Sequence, residues 1–565
     1  MRDDTSGQAS WHTRSRYASP MLQTMHRRVA LVAFTLTAVL LAIPTYGQAT
    51  TEERARARDA DRPAPAAERF GADHRDHLDH WWHDATFYHL FVRSFYDSTG
   101  DGIGDFRGLI EKLDYLNDGD PNTDTDLGID AIWLMPIHPA PSYHGYDVAD
   151  YRAINPEHGT TEDFKAFMEA CKARGIRVVI DLVINHSSSR HEWFQKSVDP
   201  DSEYRDWYIW RNERPDWRGP WGQNVWHPSP ANDGTYYYGI FWHGMPDLNF
   251  EHEPVTEAIF DLMRYWLHDM DIDGFRLDAI RHLIEDGPIQ ENTPATHAWL
   301  RRFFDETKRL KPDAFSVGEV WSGTEDVSRY VGDQMDTAFE FGLSYALVDA
   351  LRDAKAERLV GALREVERVY PLGMYATFLR NHDQPRVMHE LGNREELARL
   401  AAAIQFTLPG VPFIYYGEEL AMSADKPDPQ LRTPMPWTDE AGTVGFTTGE
   451  PWIAPKPDYE TVNVRTQLGD PSSMLTHYQR LIRVRQQEEA LRRGELTLLD
   501  SSHESVLAFV REFEGERVLC VFNLGAEPVQ GLGLNVEPRR GQSLLGDTPA
   551  DRLSAHGFMI VKLAD

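Results

Sequence analysis

Carboxylates and histidines recur in this 565-residue chain beside short β-branched runs, at spacings that could support acid–base and nucleophilic chemistry. Asp181-Leu182-Val183-Ile184-Asn185-His186 closes one run, Gly274-Phe275-Arg276-Leu277-Asp278 a second and Val317-Gly318-Glu319 a third. Arg380-Asn381-His382-Asp383 follows another. In extended backbone Arg276 and Asp278, two residues apart, point to one face. A cation in that position lowers the carboxyl pKa and keeps it ionised, as a nucleophile requires. Taken singly, each cluster is also what a strand cap or an ion pair looks like. Three carboxylates and two histidines gathered by one fold leave few such explanations.

The elements that must position them are short apolar runs alternating with helical stretches, the pattern of parallel strands linked by helices. Strands are predicted at Thr86–Phe91, Ala131–Met135, Arg177–Ile184, Gly274–Leu277, Ala314–Val320, Thr337–Phe339, Tyr375–Leu379 and Val411–Tyr415. Eight such strands fit an α/β fold, a (β/α)8 TIM barrel, in which catalytic groups sit at the C-terminal strand ends. Residues 187–255 are dense in Trp, Tyr, His, Pro and Asp with little periodicity, and read as an irregular insertion after the third strand whose aromatics wall a cleft. The barrel is thus expected over 79–186 and 256–493, closed by a helix at Ser473–Glu489. From 494 to 565, short alternating runs separated by Gly, Asn and Pro predict an antiparallel β domain.

As a set, the four clusters resemble, in order and spacing, the conserved regions of the α-amylase family of glycoside hydrolases. Gly128–Pro136 (GIDAIWLMP), Tyr143–Asp147 (YHGYD), Met245–Asn249 (MPDLN), Gly410–Glu418 and Arg432–Trp437 (RTPMPW) extend the likeness from about Trp81 to the C-terminus. The resemblance implies a retaining hydrolase of α-glucosidic bonds. Asp278 would be the nucleophile, Glu319 the general acid/base, and Asp383 the third carboxylate, which holds sugar hydroxyls and stabilises the oxocarbenium-like state. Tyr146 would stack on the sugar being cleaved, His186 and His382 would donate to its hydroxyls, and Arg276 would complete the substrate site. Retention predicts Asp278 and Glu319 carboxyls roughly 5–5.5 Å apart.

MPDLN resembles the subgroup between oligo-1,6-glucosidases and neopullulanases. Exo-acting α-glucosidases often carry Asp three residues before the stacking Tyr, to cap the chain end; here that residue is Tyr143. An α-amylase acting on starch and maltooligosaccharides is therefore favoured. An exo-acting α-glucosidase or oligo-1,6-glucosidase, a trehalose synthase-like isomerase and a non-catalytic, membrane-anchored transporter partner are the alternatives.

Asp97-Ser98-Thr99-Gly100-Asp101-Gly102-Ile103-Gly104-Asp105 places oxygen donors at alternate positions with glycines for a tight wrap, which suits Ca2+. The candidate ligands are Asp97, Thr99, Asp101, Ile103 and Asp105. Members of the family often carry Asn where Thr99 stands, so a hydroxyl replaces a carbonyl. Asn185 resembles a ligand of a second family calcium whose other partners the sequence leaves open.

Asp plus Glu exceed Lys plus Arg by 89 to 58, a formal charge of −31, which argues against a nucleic-acid partner. Cys171 and Cys520 give neither a disulfide framework nor zinc spacing and read as buried thiols. His26-Arg27-Arg28, an apolar run from Val29 to Ile43 and the small residues Gly47 and Ala49 describe a signal peptide within 1–49, with Met25 the expected start. An exported, periplasmic or extracellular protein without a stable membrane anchor follows. Residues 50–78, rich in Arg, Asp, Ala and Pro, read as a solvated linker.

Overall fold

The interior of the barrel is built from alternate residues. Phe87, Trp133, Val179, Val317, Phe378 and Phe413 pack inward against one another, while their neighbours Tyr88, Leu134, Ile180 and Ile414 face the surrounding helices. That arrangement comes from a computed structural model of the chain, described here for residues 62–72 and 74–564. The described residues fall in one compact unit, Ala55–Asp565.

Strands β1 (Phe87–Leu90), β2 (Ala131–Leu134), β3 (Arg177–Leu182), β7 (Gly274–Leu277), β8 (Phe315–Gly318), β9 (Thr337–Ala338), β10 (Ala376–Phe378) and β11 (Val411–Tyr415) form the barrel; β4 to β6 belong to the insertion. Their order is β10-β11-β1-β2-β3-β7-β8-β9, with parallel pairing throughout, and a parallel bridge between Phe339 and Ala376 joins the two ends. Each predicted strand is present, trimmed by up to two residues at an end where the chain turns out of the ladder. The helix Thr161–Ala173 opens on a capping box of Thr160 and Asp163.

The insertion is more ordered than its composition predicts. It holds a helix, Glu192–Ser197, and a small sheet of β4 (Trp210–Arg211), β5 (Trp226–Pro228) and β6 (Tyr236–Tyr238). Val225, Trp226, Tyr238 and Ile240 form its own core, so aromatic packing substitutes for periodicity.

The C-terminal sheet comprises β12 (Glu495–Leu498), β13 (Val506–Phe513), β14 (Glu516–Asn523), β18 (Phe558–Lys562) and β16 (Gln542–Gly546), in that order; β15 (Val529–Gln530) pairs with β17 (Arg552–Leu553). One fully buried arginine stitches it to the barrel, and a second binds the barrel's last helices to the 406–410 turn beside it. Arg511 on β13 donates to the carbonyls of Thr407 (2.6 Å) and Gly494 (2.8 Å). Arg485, on the helix Met474–Gln487, donates to those of Phe406 (3.0 Å), Leu408 (3.1 Å), Gly410 (2.6 Å) and Leu491 (2.9 Å). Both cysteines are buried and free.

One expectation is corrected. Residues 62–78 of the segment read as a solvated linker pack on the barrel instead. A short helix, Ala66–Phe70, seats Ala66 at 0% exposure. Arg69 pairs with Asp333 and donates to the carbonyls of Val331 (2.6 Å) and Arg329 (3.1 Å), and His77 bonds the Leu372 carbonyl. Low apolar content hid this because the attachment is mostly arginine to carbonyl. The predicted signal peptide lies outside the described residues, among which no helix is long and apolar enough to cross a membrane.

Candidate active site

The inward rows of β3, β7 and β8 end in polar residues at the C-terminal mouth. Val179 is followed by Asp181, Gly274 by Arg276 and then Asp278, and Val317 by Glu319. Asp181 and Arg276 are register partners across the β3–β7 ladder. Arg276 is 0% exposed and serves three carboxylates at once: Nη1 lies 2.8 Å from Asp181 and 2.7 Å from Asp278, and Nη2 lies 2.9 Å from Glu319. It is not among the residues lining the cavity, so the contacts the structure gives it are to the carboxylates that do line it and to Asp181. Asp181 is the member of this cluster that spacing alone did not assign.

One cation cannot neutralise three anions, and burial penalises each charge. Burial pushes Glu319 up to about 7; Arg276 opposes this, and Asp278 and Asp383 add to it. Asp278 rises to about 6 through burial and the charge of Asp181, against the pull of Arg276. Asp181 also rises to about 6 by burial. Arg276 pulls Asp278 down as expected, but burial outweighs it, so the net value lies above the ordinary one. The order survives: of the two principal carboxyls, Glu319 holds its proton more tightly. Ala279, in left-handed backbone at φ +49°, aims its N–H at Glu319 Oε2 (3.2 Å).

Around this core, Tyr146 donates its hydroxyl to Asp181 (3.0 Å), and its ring lies parallel to that of His382, whose Nε2 is 2.7 Å from the same hydroxyl. Burial drives His382 well below the ordinary histidine value, and His186 falls to about 4 for the same reason, so both rings are neutral. His186 reaches the cavity wall, but its Nε2 bonds the Tyr146 carbonyl (3.1 Å). His382, at 0% exposure, touches the site through Tyr146 and lies 3.4 Å from Asp383. Arg432, of the RTPMPW motif, fixes Asp383 at 2.7 Å and takes the His382 carbonyl (3.1 Å). It too was missed as a site residue.

Asp278, Glu319, Asp383, Tyr146 and His186 line one cavity of about 420 Å³, with Phe241 and three tryptophans around them. Trp221 and Trp242 come from the insertion and Trp321 from the loop after β8, at 64, 42 and 44% exposure. Asn185, at 1% exposure, donates to Asp247 of MPDLN (3.1 Å).

The acidic loop 97–105 is folded around its own N–H groups. Asp97 accepts from the N–H groups of Thr99 (2.8 Å), Gly100 (2.8 Å) and Gly102 (2.7 Å) and from the Thr447 hydroxyl. Against burial, the Thr447 hydroxyl and these N–H groups hold its pKa below the usual value. Asp105 caps the helix Phe106–Leu116 through Gly108 N–H (2.8 Å), and Asp101 accepts from Ile103 N–H (3.0 Å). Gly102, at φ +89°, is required because a Cβ would fall 1.9 Å from the Glu450 carbonyl oxygen. Among the described residues, no three His, Cys, Asp or Glu side chains form a metal-holding group.

A closed parallel barrel with carboxylates on a buried arginine at its C-terminal mouth, opening into a tryptophan-walled cavity, defines a glycoside hydrolase. The chain belongs to the alpha-amylase family: the alpha amylase catalytic domain matches residues 89–494, and the maltogenic amylase C-terminal domain matches 496–563. It is 38% identical over 451 residues to Alpha-amylase 3 of Dictyoglomus thermophilum, covering 79% of this chain and 85% of that one. It is 34% identical over 529 residues to the oligo-1,6-glucosidase of Heyndrickxia coagulans, covering 80% and 93%. The crystal structure of alpha-amylase from H. orenii matches with a TM-score of 0.77 at 38% identity, over 85% of this chain and 99% of that one.

Proposed function

We propose that the protein is an exported α-amylase that cleaves α-1,4-glucosidic bonds within starch and maltooligosaccharide chains, retaining anomeric configuration. In the first step ionised Asp278 attacks the anomeric carbon. The glycosidic bond breaks, and Glu319 passes its proton to the leaving oxygen. In the second, Glu319 takes a proton from water, whose oxygen displaces Asp278 from the same carbon. Asp383, held by Arg432, faces the sugar's hydroxyls, and Tyr146 offers its ring.

Mid-chain action rests on the wall of exposed indoles, Trp221 and Trp242 on the insertion and Trp321 on the β8 loop, which offers stacking surface for more than one sugar. Tyr143 supports it. In place of a carboxylate that would grip a chain end, this ring stacks on Trp452 (5.3 Å) and accepts from Arg432 (3.3 Å). Asp428, which also lines the cavity, favours the exo reading because it could hold terminal hydroxyls. Soluble starch decides between them. A rapid viscosity drop with mixed maltooligosaccharides is expected; glucose alone, at unchanged viscosity, would establish the exo-glucosidase.

Ca2+ at the 97–105 loop belongs to this proposal through its oxygen donors, Asp97, Thr99, Asp101, Ile103 and Asp105. Scanning calorimetry with and without EDTA checks it. A melting temperature lowered by chelator and restored by Ca2+ is expected, whereas an unchanged one means the loop's own hydrogen bonds suffice.

A further inference from the structure

The two walls of the cavity are tied to one loop. Arg281 lines the cavity and donates to the Trp321 carbonyl and to the Ser322 hydroxyl (3.1 Å), which fixes the backbone that carries the Trp321 ring. Nine residues on, Gln290 donates to the Arg218 carbonyl (3.0 Å), three residues before Trp221 on the opposite wall. At the loop's end stands Asn292, 5% exposed and in left-handed backbone at φ +54°. Its N–H donates to the Arg281 carbonyl (2.8 Å), its Oδ1 accepts from the Tyr330 hydroxyl (2.7 Å) and its own carbonyl accepts from Arg62 (3.1 Å). The residue thus joins the cavity wall to the helical layer and to the N-terminal segment. That segment lies outside the matched catalytic domain and is fastened to 329–333 through Arg69.

We propose that Asn292 is a positioning residue for acceptor-side recognition, and that the N-terminal segment, through Arg62, is the outer clamp on it. The bridge runs from Arg62 through the main chain of Asn292 to Arg281 and Trp321, with the Asn292 side chain bracing it on Tyr330 and Ser322, and none of Arg62, Asn292 and Arg281 touches the nucleophile or the acid/base. Its loss should loosen the Trp321 wall while leaving bond chemistry intact. An Asn in left-handed backbone suits this role, because the conformation turns its N–H toward Arg281 while the amide oxygen reaches Tyr330, and Asn tolerates it better than most residues. The inference rests on the proposed function, with Trp321 set on the leaving-group side because it lines the cavity two residues after Glu319, the group that protonates the leaving oxygen.

The test pairs two substrates. Maltohexaose needs that wall; α-maltosyl fluoride, whose leaving group is a single atom, does not. Asn292→Gly keeps the backbone conformation and the two main-chain links, and removes the side-chain contacts to Tyr330 and Ser322 that brace them. It is expected to raise KM for maltohexaose about tenfold, with kcat and KM for α-maltosyl fluoride changed by less than about twofold. Tyr330→Phe and Arg62→Ala should show the same split, more weakly, and keep the question answerable if the glycine variant does not fold. Trp321→Ala is the reference. If it leaves maltohexaose KM unchanged, the leaving-group-side reading of the wall is wrong. If it raises KM but the Asn292, Tyr330 and Arg62 variants do not, the bridge is not a positioning device. Equal losses on both substrates in those variants would mean a merely structural role and would also overturn the proposal.

Discussion

Glu319→Gln should lower kcat on starch by about 10³-fold, within the 10²–10⁴ range of a positioned general acid, and should at the same time make the protein more stable. The two effects share a cause. Glu319 is the third carboxylate on one guanidinium, and its pKa stands near 7 against an ordinary 4.5. Because the folded state binds this proton more tightly than the unfolded chain, the stability the carboxyl contributes is complete below pH 4.5 and is lost as pH rises through 7. The loss amounts to about 3 kcal/mol above that pH. The amide carries no charge, so the melting temperature should rise by a few degrees at about pH 8, with the gain shrinking toward zero by about pH 5. In kcat/KM the alkaline limb near pH 7 should vanish, while the acid limb near pH 6, from Asp278, remains. With α-maltosyl fluoride, whose departure needs little protonation, a burst of fluoride should precede slow turnover. A variant as active as the parent, or one destabilised at alkaline pH, would remove Glu319 from its assigned role.

The second large effect concerns the nucleophile. Asp278→Ala should reduce turnover by at least about 10⁴-fold, since no covalent intermediate can form. Arg276 keeps Asp181 and Glu319 as partners, so the fold should survive, as circular dichroism would show. Azide added to the variant should occupy the vacated space and attack the anomeric carbon of α-maltosyl fluoride, expelling fluoride. The product is a β-configured maltosyl azide, identifiable by NMR from its anomeric coupling. An α-configured azide, or full activity without azide, would rule out Asp278 as the attacking group.

Much of this site was legible before folding because strand alternation is a strong signal. Two-residue spacing put Arg276 and Asp278 on one face, and the ends of apolar runs placed Glu319 and Asp383 at the mouth. What stayed hidden depends on neighbours across the barrel. Asp181 faces Arg276 only because β3 and β7 pair in that register, and Arg432 approaches Asp383 over a separation of 49 residues. The pKa order could be argued from roles, but its values could not, since whether Arg276 wins against burial depends on how many anions share it. The acidic loop carries two signals in the same residues. Carboxylates spaced as calcium ligands are also spaced to accept N–H groups in a tight turn, and Asp97, Asp101 and Asp105 each accept such groups. The segment at 62–78 is polar in composition yet fastened down, because arginine bonding to carbonyls leaves no hydrophobic trace.

The carbonyl-bound Arg511 bears on how this enzyme can be engineered. An excised barrel ending at residue 493 would keep Arg485 on the carbonyls of 406, 408 and 410 but strand that of Thr407, whose cation Arg511 would be gone. The terminal sheet is therefore masonry rather than an appendage. Grafting a different carbohydrate-binding module onto this scaffold should begin after β18, not in place of the sheet.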